Sequence, residues 1–118
     1  MDLIEALAKA ALRRDGLQVR ALAQELIRRT PRFGDLPLPA SHDARILAIA
    51  AGLVELLALR AGQAPPAWTS GIGPSPEPCF LLDAAQKMKR LRRLCQMESP
   101  EPLRKRGFYA PPEYLSFA

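Results

Sequence analysis

The sequence predicts an all-α protein: a compact bundle of about four helices with a Pro- and Gly-rich strap and a short C-terminal helix. Its 118 residues suit a single domain. Ala and Leu, which lose little side-chain freedom in helices, dominate the composition, and only 6% of the residues are aromatic. We expect one domain over 1–118, made of a three-helix part at 1–62, the strap at 63–81, and a basic helix with an aromatic tail at 82–118.

Two amphipathic segments predict the first two helices. The segment "DLIEALAKAALRR" at 2–14 has an apolar stripe, a capping residue in Asp2 and a closing residue in Gly16. The segment "LQVRALAQELIRR" at 17–29 repeats the pattern, and Pro31 prevents its continuation. Because the link between them is short, we expect an antiparallel helix pair.

The third helix is the predicted centre of the core. Ser41 or Asp43 offers a cap before it, and Gly62 ends it. Its apolar run "ILAIAAGLVELLAL" at 46–59 contains Glu55 and is shorter than the roughly 20 nearly uncharged residues that a membrane-spanning helix needs. We therefore expect a core helix and no membrane association.

Residues 63–80, "QAPPAWTSGIGPSPEPCF", hold five prolines and cannot form a regular helix. Such enrichment is typical of disorder. The alternative is an ordered, extended strap pinned by Trp68, Ile72 and Phe80, which we favour because isolated linkers rarely keep such large apolar groups.

The segment "LLDAAQKMKRLRRLCQM" at 81–97 predicts a basic helix, and Ser99 is the expected cap of a short final helix that Pro100 opens and Gly107 closes. Residues 87–106 hold eight basic and two acidic side chains, a net charge of +6 in a chain of +5. This patch indicates either an acidic partner or a merely solvated helix face.

The sequence offers no convincing catalytic, metal or cofactor site. His42 lies beside Asp43 in a proline-rich loop without further partners for a triad or a metal, and "GIG" at 71–73 lacks the residues of a phosphate loop. Cys79 and Cys95 are more typical of core residues than of nucleophiles, and the sequence leaves their pairing open. Without a signal peptide or a CxxC pair, the cysteines favour a reducing cytoplasm.

Nucleic-acid binding is the alternative function class. "VRALAQELIRR" resembles the opening of a helix-turn-helix, but "TPRFGDLPLPA" follows in place of a tight turn and a recognition helix. The basic helix could still hold phosphates without reading the base sequence. The candidate residues for that mode are Lys87, Lys89, Arg90, Arg92 and Arg93.

The second half of the chain resembles a family of small bacterial proteins. The pattern runs from "PPAWT" through "ESPEPLRKRGFYAPPEYLSFA" and is carried by Pro66, Trp68, Thr69, Glu98, Pro100, Pro102, Arg104, Lys105, Arg106, Phe108, Tyr109, Tyr114 and Leu115. Members of that family are regarded as antitoxin-like or uncharacterised and are encoded beside nucleotidyltransferase-like proteins. The resemblance implies a protein partner, whereas the missing helix-turn-helix puts DNA binding in doubt.

The tail combines prolines, guanidinium groups and aromatics, a composition enriched at protein interfaces. The alternative is that Phe108, Tyr109, Tyr114 and Phe117 fasten the tail to the core. Our primary hypothesis is a non-enzymatic antitoxin or neutralising partner of a nucleotidyltransferase-type toxin, with the oligomeric state left open. Its candidate partner-binding residues are Trp68, Arg104, Lys105, Arg106, Phe108, Tyr109, Tyr114 and Leu115.

Overall fold

A computed structural model describes residues 2–116, apart from the side chain of Gln86. The chain is mostly helical, which confirms the predicted all-α class. The helices are α1 (Leu3–Leu12), α2 (Gly16–Arg29), α3 (Ala44–Arg60), α4 (Ala84–Lys87), α5 (Lys89–Glu98) and α6 (Glu101–Arg104). Two 3-10 turns, Phe33–Asp35 and Ala67–Gly71, and two short strands, β1 (Cys79–Phe80) and β2 (Phe108–Tyr109), complete the described elements.

Helix α1 begins as predicted and ends earlier than predicted. The Asp2 carboxylate accepts hydrogen bonds from the backbone N–H groups of Ile4 (3.0 Å) and Glu5 (3.2 Å). The residue that closes α1 is Arg14, with a left-handed φ of 59°, and not Gly16. Gly16 instead opens α2, because Asp15 caps that helix by accepting from the N–H of Gln18.

Helix α3 forms the centre of the core and is buried on nearly all sides. The Asp43 carboxylate caps it by accepting from the N–H of Arg45 at 2.8 Å, which settles the choice between Ser41 and Asp43. Gly62, with φ 69°, ends it as predicted. Helix α1 packs on one side of α3 and α6 on another.

The contact between α3 and α6 is unusually close and depends on Gly52. A Cβ atom at Gly52 would lie 2.9 Å from Cδ2 of Leu103 and 3.2 Å from the carbonyl oxygen of Pro102. Glycine therefore lets α6 approach the backbone of α3 directly, which brings the residues after Leu103 next to Glu55.

The strap is ordered, as we favoured. The indole N–H of Trp68 donates to the carbonyl of Leu36 at 2.9 Å, and Trp68 and Ile72 pack against the core. Thr69 is buried, and its hydroxyl donates to the carbonyl of Pro66 at 2.9 Å.

The predicted continuous helix at 81–97 is wrong. Cys79 and Phe80 form β1, which pairs in parallel with β2 so that Cys79 faces Phe108 and Phe80 faces Tyr109. Helix α4 then spans four residues before Met88, at φ −107° and ψ 106°, interrupts it. The pairing partner lies far along the chain, so helical periodicity could not show it.

Ser99 does not cap α6. Its hydroxyl donates to the carbonyl of Cys95 and accepts from the N–H of Ala110 at 2.9 Å. It therefore joins the end of α5 to the tail.

None of the helices in the described part of the chain is long and apolar enough to cross a membrane.

Candidate binding surface

The three consecutive cations of the tail, Arg104–Arg106, differ in exposure, because Arg104 and Lys105 are exposed whereas Arg106 is buried. The side chain of Arg106 is only 3% exposed. Its Nη2 group donates to the Glu55 carboxylate and, at 2.8 Å, to the carbonyl of Thr69. Its Nη1 group donates to the carbonyl of Pro102 at 3.0 Å. Arg106 thus holds together α3, the strap and α6.

Glu55 is shared between two cations. The Nζ atom of Lys105 lies 2.9 Å from Oε2 of Glu55, while Arg106 contacts Oε1. Burial raises the pKa of Glu55, but the hydrogen bonds and charges of Lys105 and Arg106 outweigh it, and the pKa lies below its ordinary value of 4.5. We call Glu55, Lys105 and Arg106 the clamp. Within the described residues, one polar atom of the clamp, Nε of Arg106, is buried without a hydrogen-bond partner.

The other predicted partner-binding residues are divided between core and surface. Phe108 is buried within this chain, as the fastening alternative expects, and Leu115 is buried as well, so neither presents a surface to a partner. Trp68 and Tyr114 are partly buried against the core, and burial raises the pKa of Tyr114. Arg104 is exposed and donates to the carbonyl of Met97 at 3.2 Å. Phe117 lies outside the described residues.

The basic residues around α5, in contrast, all point to solvent. We call these residues the α5 ridge: Lys87, Lys89, Arg90, Arg92 and Arg93, each of which is exposed. No acidic side chain in the part of the chain that the structure describes forms an ion pair with any of them. The ridge therefore carries five uncompensated charges along 87–93.

The charges of α5 oppose its dipole. Lys89 and Arg90 occupy its first turn, where the helix dipole disfavours cations, and Glu98 lies at its opposite end. The residue before the helix, Met88, supplies no side-chain cap to the first N–H groups. This end of α5 therefore favours anions, and its first turn holds no acidic residue.

One ridge residue, Arg92, belongs to an aromatic cluster that the sequence did not predict. The guanidinium carbon of Arg92 lies 5.5 Å from the ring centroid of Phe80. The ring of Phe80 in turn lies 5.3 Å from that of Tyr109. We call these three residues the Arg92 stack. It brings together Arg92 and Tyr109, which we had assigned to two different candidate surfaces, and no sequence signal indicated the strand pairing that joins them.

Within the described part of the chain, no hydrogen bond or disulfide joins the residues considered for catalysis to one another. His42 is exposed in the loop before α3, while Cys79 and Cys95 are buried and free. Burial, followed by the charge of Glu113, raises the pKa of Cys95. Among residues 2–116, no group of three or more His, Cys, Asp or Glu side chains could hold a metal ion.

Comparison with known proteins finds no matching family model, no matching curated protein and no matching solved structure. The resemblance of the tail to an antitoxin-like family stays a prediction. The geometry of the α5 ridge and of the clamp therefore carries the functional inference.

Proposed function

We propose that this protein is a non-enzymatic binding protein that holds nucleic-acid phosphates on the α5 ridge. The observation that carries the proposal is the set of five exposed cations along 87–93 without an acidic partner among the described residues. Like charges so close together repel one another, and a polyanion relieves that repulsion while its counterions are released.

The helix itself favours phosphate as the anion. The N-terminus of α5 has no side-chain cap, and backbone N–H groups at such an end suit phosphate oxygens. Lys89 and Arg90 flank the same end. A bound phosphate would therefore satisfy the helix dipole and the side chains together, without any base-reading residue.

Salt dependence tests this function. We would measure binding of a labelled oligonucleotide at several salt concentrations for the parent and for a variant with Arg90, Arg92 and Arg93 changed to Gln. Each lost phosphate contact lowers the slope of log affinity against log salt by about 0.7–0.9, so the slope should fall by about 2–3.

The matched control changes Arg13, Arg20 and Arg32 to Gln, because these residues are also exposed cations but lie outside the ridge. It removes the same net charge and should leave most of the slope intact. Equal slopes of log affinity against log salt for the two variants would mean that only the net charge of the protein matters. If the parent binds no oligonucleotide at about 50 mM salt, the proposed phosphate binding is refuted.

A protein partner is the second candidate, and two exposed methionines favour it. Met88 and Met97 lie at the two ends of α5 and are 57% and 65% exposed. Met and Arg are enriched at protein interfaces, where flexible methionines adapt to a partner. In this alternative, the chain is the neutralising partner of a bacterial nucleotidyltransferase-type toxin, as the tail pattern implies.

Affinity purification from the native cell with mass spectrometry tests the second candidate. The expected result is recovery of a nucleotidyltransferase-like protein by the parent and its loss from a variant with Met88 and Met97 changed to Gln. This variant keeps every cation of the ridge, so its oligonucleotide binding should be unchanged. Recovery that survives both the methionine and the arginine changes would remove the ridge from this role.

A further inference from the structure

The Arg92 stack lies on the outer face of the two-stranded ribbon. In the parallel pairing, Cys79 and Phe108 face each other and are both buried, whereas the next pair, Phe80 and Tyr109, is only partly buried. Alternate residues of a strand point to opposite faces. The ribbon therefore turns one pair into the core and presents two aromatic rings on the side where Arg92 lies.

Several contacts fix the stack in place. Phe80 and Tyr109 are cross-strand neighbours with ring centroids 5.3 Å apart and ring planes inclined by 36°. The Nε group of Arg14 donates to the carbonyl of Phe80 at 2.9 Å, which anchors β1 to the end of α1. Arg92 is the ridge cation for which the structure gives a contact with an aromatic ring. The attraction between the cation and the ring favours this position of its guanidinium.

We infer that the α5 ridge prefers single-stranded nucleic acid, with one base stacked on the outward face of the Arg92 guanidinium. This inference rests on the proposed function, phosphate binding by the ridge, and names the form of nucleic acid that the ridge takes. Arg planes and aromatic rings beside a cationic track are the means by which proteins hold unpaired bases. In a duplex the bases are already stacked on one another, so no base face is free to stack on the guanidinium.

Three probes separate the outcomes: an oligothymidylate of about 16 nucleotides, a duplex of the same length, and polyglutamate. Binding of each labelled probe to the full chain is measured by fluorescence anisotropy. We expect the single strand to bind at least about tenfold more tightly than the duplex, since base stacking adds to phosphate contacts. Polyglutamate, which offers charge without bases, should bind more weakly than the single strand.

The decisive variant is Arg92→Lys, and its matched control is Arg20→Lys, because Arg20 is also an exposed arginine on a helix but lies outside the ridge. Both keep the charge, but only the first removes a guanidinium that lies over a ring. Arg92→Lys should lower single-strand affinity about fivefold to tenfold and leave duplex affinity within about twofold, whereas Arg20→Lys should change neither by more than about twofold. Phe80→Leu should weaken single-strand binding in the same selective way, and circular dichroism melting verifies that each variant is folded.

Equal affinities for strand and duplex, or equal effects of the two lysine variants, would overturn the inference while leaving phosphate binding intact. Failure of the parent to bind either nucleic acid would overturn the proposed function and the inference together. Polyglutamate binding as tight as that of the single strand would assign the ridge to acidic protein surfaces and would also overturn the inference.

Discussion

The two basic clusters of this chain are similar in composition and differ in whether an acidic side chain of the fold pairs with them. In the tail cluster, Arg104–Arg106, the side chain of Arg106 is buried, and Glu55 pairs with both Lys105 and Arg106. The α5 ridge at 87–93 turns outward and forms no ion pair with a described acidic residue. The density of positive charge in a sequence therefore does not identify a binding surface. What distinguishes the clusters is whether the fold supplies an acid.

The buried guanidinium of Arg106 needs the Glu55 carboxylate because its desolvation is costly. Transfer of an ion into a protein interior costs several kcal/mol, and only a well-placed counterion with further hydrogen bonds offsets this. Glu55, together with the carbonyls of Thr69 and Pro102, supplies this environment for Arg106. The outward cluster has no such requirement, since water solvates it, and it remains available to an external anion.

The largest expected effect is that of removing the acid of the clamp. Glu55→Gln keeps the shape of the side chain and leaves Arg106 buried without its counterion, so we expect a loss of about 3–5 kcal/mol in the free energy of unfolding. Urea denaturation measures it. Glu101→Gln is the control, because Glu101 is exposed on α6, and its change should stay within about 0.5 kcal/mol. Similar small effects for both variants would mean that the clamp does not hold the fold.

A smaller effect should follow from separating α3 and α6. Gly52→Ala places a Cβ atom 2.9 Å from Cδ2 of Leu103, and such overpacking typically costs about 1–3 kcal/mol. Alanine in a helix otherwise stabilises by about 0.5–1 kcal/mol relative to glycine. A decrease in the free energy of unfolding on Gly52→Ala would therefore by itself indicate the close contact. Gly16→Ala, with no atom within 4 Å of the added Cβ, is the control and should not destabilise. A stabilised Gly52→Ala variant would contradict the close contact.

Acid should remove the contribution of Glu55. Its pKa in the folded protein lies below the ordinary value of 4.5, so ionised Glu55 contributes fully above that pH. The contribution is lost as the pH falls through the folded pKa. The difference in unfolding free energy between the parent and Glu55→Gln should therefore shrink toward zero in strong acid. Urea denaturation at a series of pH values checks this, and a difference that stays constant with pH would exclude the linkage.

The smallest effect is a stabilisation within the ridge. Lys89→Glu replaces a cation by an anion in the first turn of α5 and should raise the free energy of unfolding by about 0.3–1 kcal/mol at low salt. Arg93→Glu lies further from the helix end and should gain less. Thermal denaturation at low and high salt measures both variants, because salt screens the dipole. Destabilisation by Lys89→Glu would mean that α5 needs its cations for folding.

Local chemistry was enough to predict the first three helices and most of their ends. Asp2, Asp43 and Gly62 act through neighbouring backbone groups, so their roles can be inferred from a few adjacent residues. The β1–β2 pairing and the role of Ser99 depend on groups far along the chain, and helical periodicity does not report such contacts. The end of α1 at Arg14 was missed because glycine is the residue that a left-handed position normally takes.

The candidate site was predictable in the same uneven way. The residues of the α5 ridge could be listed from charge alone, since exposed cations need no partner within the chain. The clamp was missed, although one signal was present: Glu55 interrupts the apolar run at 46–59, and a carboxylate in a core helix requires a cation. Which of the basic residues supplies it depends on the close packing at Gly52, and the sequence does not show this packing.

An NMR titration of the whole chain with oligothymidylate tests whether nucleic acid binds at the ridge and not at the clamp, because backbone amide signals report both clusters in one experiment. We expect the largest chemical-shift changes at 87–93 and at Phe80 and Tyr109. The amide signals of Glu55 and of Arg104–Arg106 should remain nearly unchanged, since Glu55, Lys105 and Arg106 already pair with one another within the fold. The opposite result is a set of changes concentrated at Arg104–Arg106 and Glu55, or a spectrum that does not respond to the oligonucleotide. Either would contradict the assignment of the clamp to stabilising the fold and of the ridge to binding nucleic acid.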